Sequence, residues 1–414
     1  MSKMLPINKV VESVSITHKF NRPVLKFLNT SDVENGKIIN INHLPIEELK
    51  GQAKKTIQKH DILFSEIRPK NRRFAYVDID DTYDFVVSTK LMVLRNINSE
   101  VDNKYFYYFL TNDHMLSILQ DRAENRIGSF PQITFDLLSE YFIRVPHLSE
   151  QKKIASNLSS LDSKIELNNR INIELESMAK TLYDYWFVQF DFPDKNGKPY
   201  KTSGGNMVWN EELKREIPEG WEVKKVKEFA STGSGSTPIK SKKEYYLDGN
   251  VPWINSGEVN NPFIVEAKKY ITQLGLNSAS TKLFKRGTLL IAMYGATAGK
   301  VSILDIEACT NQAICSINVH NNSHRNYLKF VLDDLYEYLI NLSTGSARDN
   351  LSQDKIKELI VLMPDDLSIQ KFDKLIEPTY DKILNAYREN QKLTELRDWL
   401  LPMLMNGQVK VSEL

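Results

Sequence analysis

The chain has little cysteine. Two residues in 414, Cys309 and Cys315, lie inside one apolar segment and neither has a CxxC partner, so a disulfide framework is excluded and buried, reduced thiols are expected. Long apolar runs are missing too, and with them any segment able to cross a bilayer as a helix. The opening "MSKMLPINKVVES" has no apolar central region of the kind an export signal needs, and a bacterial-type cytoplasm is the expected compartment. Charge of one sign is also lacking: 54 Lys and Arg against 53 Asp and Glu give +1. That balance argues against a protein that coats nucleic acid indiscriminately, while a sequence reader needs only a local basic face.

Motifs for chemistry are absent as well. "GATAGK" has three residues between Gly295 and Gly299, and Val301 follows Lys300; a P-loop needs four, then Lys followed by Ser or Thr. "GSGSTP" has no GxGxxG and no acidic residue placed for a dinucleotide. His320 and His324 stand four apart but lack a third ligand, and "NNS" between them reads as a loop, so no metal site is expected. No Asn-Pro-Pro-Tyr-type methyltransferase motif and no carboxylate-lysine nuclease arrangement occurs. The chain is expected to be catalytically silent alone, with no cofactor of its own.

What is present is a repeat. At 41% apolar and 26% charged residues, the composition is that of a globular protein, and the length points to two or three domains. Displaced by 218 residues, "FPQITFDLLSEYFIRVPHLSEQKKI" lies over "RDNLSQDKIKELIVLMPDDLSIQKF", matching Asp136 with Asp354, Glu140 with Glu358 and Pro146 with Pro364. The same displacement places Ile165 over Ile383, Asn172 over Asn390 and Leu182 over Leu400. Upstream the order of features persists. "DILFSEI" resembles "GTLLIAM", each a buried strand; "DFVVSTKLMVLR" falls near "EACTNQAICSINV", and "KYFYYFLTND" near "RNYLKFVLDD", a short amphipathic helix. A repeat this long is a duplicated domain and not a solenoid.

Each copy ends in a heptad seam. Ile154, Leu158, Leu161, Ile165, Asn168, Asn172, Leu175, Ala179, Leu182 and Trp186 step alternately by four and three, as along a coiled-coil helix. Phe372, Ile376, Ile383, Ala386, Asn390, Leu393, Leu400 and Leu404 follow the same register. One seam cannot stand alone, so the two helices are expected to bury their seams against each other. Because each globule precedes its own helix, the pairing should be antiparallel, sending the globules to opposite ends of a rod. The fold expected is α+β: two tandem globules joined by two long helices packed as an antiparallel coiled coil with pseudo-twofold symmetry. About thirty residues at roughly 1.5 Å each span on the order of 45 Å, a little more than one turn of DNA. Ordinary packing elements remain the plain alternative to a ruler.

The duplicated globule-helix plan, "PEGWE" at 218–222, "GSGSTP" at 233–238, "VPWINSGEV" at 251–259, "LLIAMYGATAGKVSIL" at 289–304, "TNQAICSI" at 310–317 and "PHLSEQKKIA" at 146–155 together resemble the specificity subunit of Type I restriction-modification systems. The resemblance spans nearly the whole chain and is strongest in the second half. It implies target recognition domain 1 at 1–146, a central coiled-coil helix at 147–190, a linker at 191–217, target recognition domain 2 at 218–364 and a distal coiled-coil helix at 365–414. It implies double-stranded DNA as ligand, with each domain reading half of a bipartite site. Two methyltransferase subunits and restriction/translocase subunits would be the partners, and S-adenosylmethionine, and ATP with Mg, would serve those partners.

A DNA reader needs phosphate anchors and side chains that reach base edges. "EIRPKNRR" follows a buried strand, so Arg68, Lys70, Arg72 and Arg73 should emerge together on a loop; arginine suits both a bidentate guanine contact and a phosphate clamp. Lys54, Lys55 and Lys59 form a second basic cluster facing phosphate or solvent. In the second half, "MYGATAGKV" offers Tyr294, Thr297 and Lys300 on a glycine-rich loop after the matching strand, "TPIKSKK" adds Lys240, Lys242 and Lys243, and "STGSARDN" adds Arg348 and Asn350. Asn311 and Gln312 have the amide pattern for adenine, with a structural hydrogen bond as the alternative.

Two aromatic runs stand out. "KYFYYFL" reads as core. "YDYWFVQFDF" carries more large apolar groups than one seam can bury, and Tyr183, Tyr185, Trp186 and Phe187 are expected to face a methyltransferase, with packing on the second globule as the alternative. At the level of the whole chain, the alternative to a DNA-reading subunit is a non-catalytic coiled-coil scaffold without base readout.

Overall fold

The computed structural model describes residues 2–49, 53–125, 131–279, 281–343 and 351–410. It divides into two compact units, 1–166 with 391–414 and 167–390. Both long helices therefore contribute to both units.

In the first unit, the strand Lys3–Pro6 pairs antiparallel with Phe142–Val145. An antiparallel sheet follows in the order Val11–Val14, Leu91–Asn96, Ile62–Ser65, Phe74–Tyr76. A second sheet orders Asn42–Pro45, Val24–Leu28, Phe85–Ser88 and Ala53–Thr56, with Phe85–Ser88 parallel to Val24–Leu28. Ile62–Ser65 and Phe85–Ser88 are buried at every position, as expected of short continuous apolar runs. The helix Asn103–Thr111 starts where the Asp102 carboxylate accepts the Tyr105 N–H at 2.9 Å, an N-cap that satisfies an otherwise unpaired donor. Its Tyr105, Phe106, Tyr108 and Leu110 enter the core, as the aromatic run suggested.

The second unit repeats the core of this plan, with five strands in its first sheet and three in its second. Glu222–Lys225 pairs with Ile360–Met363. Ala230–Ser234, Ile314–Val319, Leu289–Ala292 and Val301–Leu304 form an antiparallel sheet in the order of their first-unit counterparts. Cys309–Thr310 lies parallel to Val251–Ile254, matching the one parallel pair among the strands just given for the first unit. The helix Phe135–Ser139, strand Phe142–Val145 and helix Leu148–Tyr183 recur as Gln353–Lys357, Ile360–Met363 and, from its first residue, Asp366–Asn406, all at the displacement of 218.

Leu148–Tyr183 has 36 residues, on the order of 54 Å of helix, and Asp366–Asn406 has 41. Their antiparallel pairing is visible within each unit. In the first, Leu158 shares a core with Leu401 and Leu404, and Arg397 reaches Asp162 at 2.8 Å. In the second, Asn168 meets Asn390, and the Trp186 and Phe372 rings are 5.8 Å apart. The partner's number falls as the other rises. Every position of the first seam is buried or half-buried.

The stretch 191–217, expected as a linker, packs against the second unit. Phe192 stacks between Tyr200 and Trp221, with centroids at 4.6 and 4.9 Å. The Asp191 carboxylate accepts the Thr202 N–H and Oγ1–H at 2.8 and 2.6 Å. Met207–Asn210 and Arg215–Pro218 form a hairpin that buries Ile217 in the core of the second unit. Three aromatic rings and a turn closed by a carboxylate build it into that unit.

Candidate nucleic-acid interface

In the first unit, Arg68, Lys70, Arg72 and Arg73 lie on the turn joining Ile62–Ser65 to Phe74–Tyr76. The turn is braced. The Glu66 carboxylate accepts from Gln132 Nε2 at 2.6 Å, the Arg68 N–H donates to the Pro131 carbonyl at 3.1 Å, and the Lys70 N–H donates to the buried Gln120 at 3.2 Å. Arg72 ion-pairs with Asp113. Lys70 lies 4.0 Å from Asp121, and Arg73 donates to the Ser31 carbonyl at 3.2 Å and faces Glu34 at 3.5 Å. Arg68 is exposed, and its guanidinium has no polar partner among the described residues. The bracing helix Asp113–Glu124 is not legible in the sequence as part of this site, because its acids become relevant only once the fold sets them beside the turn.

The second basic cluster of this half is corrected. Lys55 is buried and donates to the carbonyls of Thr89 and Leu91 at 3.1 and 2.9 Å; burial holds its pKa below the usual lysine value. It is a structural cation, placed inward because it sits on a strand enclosed by the neighbouring loop. Lys59 is engaged by Asp80, and the side chain of Lys54 lies outside the described residues. A separate exposed group went unnoticed in the sequence: the Arg22 guanidinium stands over the Tyr83 ring at 5.0 Å and 3.3 Å from Asp84.

In the second unit, Tyr294, Thr297 and Lys300 occupy the corresponding turn, between Leu289–Ala292 and Val301–Leu304. Tyr294 is 38% exposed, and Lys300 is half-buried with no polar side-chain partner among the described residues. Thr297 is corrected: it is buried and its hydroxyl donates to the Ser256 carbonyl at 2.7 Å, so it pins the turn to the adjoining loop. Lys240 and Lys243 are exposed; Lys242 donates to the Tyr245 hydroxyl at 3.1 Å and lies over its ring. Arg348 and Asn350 lie outside the described residues. Asn311 takes the structural alternative, its side-chain oxygen accepting the Ala313 N–H at 3.1 Å. The Gln312 oxygen accepts from Thr237 at 2.6 Å.

The aromatic surface is also corrected. Tyr183, Trp186 and Phe187 are 5%, 5% and 3% exposed, enclosed by Trp221, Tyr327, Phe330 and Phe372 of the same unit. After Tyr183 the helix passes into a widened π-type turn, Asp184–Val188, that carries Trp186 and Phe187 inward. Tyr185 alone of the four stays exposed, at 37%. Its seam position already assigned Trp186 to the interior.

Among the described residues no group of His, Cys, Asp and Glu is arranged to hold a metal ion, and no helix is long and apolar enough to cross a membrane. His324 opens the helix His324–Asp334 and places Nε2 3.0 Å from the Asp366 carboxylate, so the loop expected before it ends at that residue.

The family model for the Type I restriction modification DNA specificity domain matches this sequence twice, at residues 9–177 and 218–396. The chain belongs to that family. The two matches coincide with the two structural repeats, each taking in a sheet pair and most of the helix that follows. The specificity subunit of the Type I restriction enzyme HindI of Haemophilus influenzae is 32% identical over 460 aligned positions, covering 98% of this chain and 99% of that one. The specificity subunit of the MjaIX enzyme of Methanocaldococcus jannaschii is 28% identical over 318 positions, 76% and 71% of the two chains. The crystal structure of the Type I S subunit from M. genitalium superposes with a TM-score of 0.56 at 16% identity, covering 98% and 96% of the chains, a likeness of fold. This specificity subunit determines DNA target recognition and is itself non-catalytic; the cofactors belong to the methyltransferase and restriction subunits.

Proposed function

We propose that this specificity subunit reads a two-part DNA sequence, one part with each recognition domain, while its paired helices set the unread gap. The observation that carries the reading is the duplication itself: a corresponding pair of sheets and a corresponding turn occur twice, each followed by a long helix that runs antiparallel to the other. The functional boundaries follow the repeat: recognition domains at 1–146 and 218–364, helices at 147–190 and 365–414, and the connector at 191–217. The turn at 66–73 and its counterpart at 293–300 supply the contacts, with Lys240, Lys242 and Lys243 as phosphate anchors. The subunit assembles into a Type I restriction-modification complex in the cytoplasm, where two methyltransferase subunits and restriction/translocase subunits join it. The methyltransferase extrudes and modifies an adenine that this chain has selected.

The test is the methylome of a host expressing the full chain with its methyltransferase partner. One split motif is expected. Seven residues inserted at matched seam positions of both helices add about two turns, roughly 10 Å or three base pairs; the gap should lengthen by that amount with both half-sequences intact. An unchanged gap would end the ruler role. Methylation without any sequence preference would favour the scaffold reading.

A further inference from the structure

The turns at 65–73 and 292–300 share their closing pair and several backbone hydrogen bonds while carrying different side chains. Their closing pairs are Phe64 with Phe74 and Ile291 with Val301, and both enclose nine residues. The Ser65 N–H donates to the Arg73 carbonyl as the Ala292 N–H donates to that of Lys300, at 2.8 and 3.1 Å. Glu66 to Lys90 recurs as Met293 to Ala313, and Asn71 to Arg68 as Ala298 to Gly295. The left-handed positions coincide as well. In the second unit both are glycine, Gly295 at φ 90° and Gly299 at φ 79°; in the first they are Arg68 at 47° and Arg72 at 54°.

Left-handed backbone is unfavourable for a residue with a Cβ, and glycine is its natural occupant. An arginine held there invites an explanation from its side chain. Arg72 has one in its ion pair with Asp113; at the matching place Gly299 has the Tyr336 ring 3.2 Å from where a Cβ would stand. Arg68 has no such tie. Its guanidinium is exposed and unpaired among the described residues, while its backbone is anchored on both sides, by the Arg68 N–H to Pro131 and by the Asn71 N–H to the Arg68 carbonyl at 2.8 Å. Around Gly295, the matching place is open space. A rigid turn thus presents one free planar fork in the first domain and none in the second.

We infer that Arg68 is the base-reading residue of this turn, donating to a guanine edge in the half-site of the first domain. The inference rests on the proposal that this turn faces DNA. Arg73 and Lys300, basic at equivalent places, contact phosphate in both domains. The glycine turn of the second domain leaves its reading to other side chains, Tyr294 first among them. Similar backbones with different forks would then give the two domains different sequences to read.

The test uses the full chain with its methyltransferase partner and two variants, Arg68→Gly and Arg68→Asn. Glycine and asparagine both accept left-handed φ, so neither variant should melt below the wild type. Competition binding against every single-base change in both half-sites, with the methylome as a second readout, locates the effect. The expected result is that a preference of roughly tenfold or more at one G·C pair of the first half-site disappears, with every other position unchanged. Equal weakening on all duplexes makes Arg68 a phosphate anchor, and an unaltered profile makes it a bystander; either overturns the inference. A wild-type complex with no base preference would instead overturn the underlying proposal.

Discussion

Asn168 donates from Nδ2 to Oδ1 of Asn390 at 2.9 Å, across a helix seam lined mostly with apolar groups. Asn390 in turn donates to Asn169 at 2.8 Å. The internal repeat places Asn172 where Asn390 stands, yet the residues matching Asn168 and Asn169 are Ala386 and Tyr387. Asn172 is 3% exposed, and both its polar side-chain atoms are without a partner among the described residues. One polar seam contact has lost its symmetry mate.

Asn172→Leu should therefore stabilise the protein, by about 1 kcal/mol or more, because it removes an unpaired buried amide and adds apolar burial. Asn390→Leu should destabilise by about 1–2 kcal/mol, since it strips a bond from both Asn168 and Asn169. Denaturation midpoints of the two variants should move in opposite directions.

Asp162 joins two elements of the first unit, accepting from the Tyr108 hydroxyl at 2.6 Å and from Arg397 at 2.8 Å. Asp162→Ala leaves the buried Tyr108 phenol without its acceptor and Arg397 with Asp398 alone, and a loss of about 1–2 kcal/mol is expected. Asp162→Asn keeps an acceptor oxygen and should lose less. Urea titrations of both variants check the order.

Cys309 and Cys315 are buried, and burial pushes their thiols up to about 11 and about 12. At pH 8 both remain protonated and enclosed, so a thiol reagent should label neither in the native chain and both after denaturation. Labelling of native Cys315 at a rate near that of a free thiol would contradict the burial.

Glu358 accepts from Lys225 at 2.8 Å and also from Lys227, and these ammonium groups hold its carboxyl down at about 2, against 4.5 ordinarily. The folded state thus favours the carboxylate. Its stabilisation is complete above pH 4.5 and disappears as the pH falls through about 2. The melting difference between wild type and Glu358→Gln should be small, since the site is exposed, and should close across that window.

Much of this protein was legible as sequence. The displacement that set Asp136 over Asp354 also places helix, strand and long helix in register, because duplicated chains keep the local patterns that specify each element. The seam from Ile154 to Trp186 faced inward as read, since heptad spacing alone puts those residues on one stripe. Short apolar runs such as 62–65 and 289–292 announced buried strands by their continuity. Side-chain exposure was decided elsewhere. Lys55, Thr297 and Phe187 turned inward, and Arg68 stayed free while Arg72 was claimed by Asp113, through neighbours remote in the chain. Periodicity constrains which residues share a face; whether a polar group on that face meets water, a carbonyl or a carboxylate depends on what tertiary packing sets opposite it.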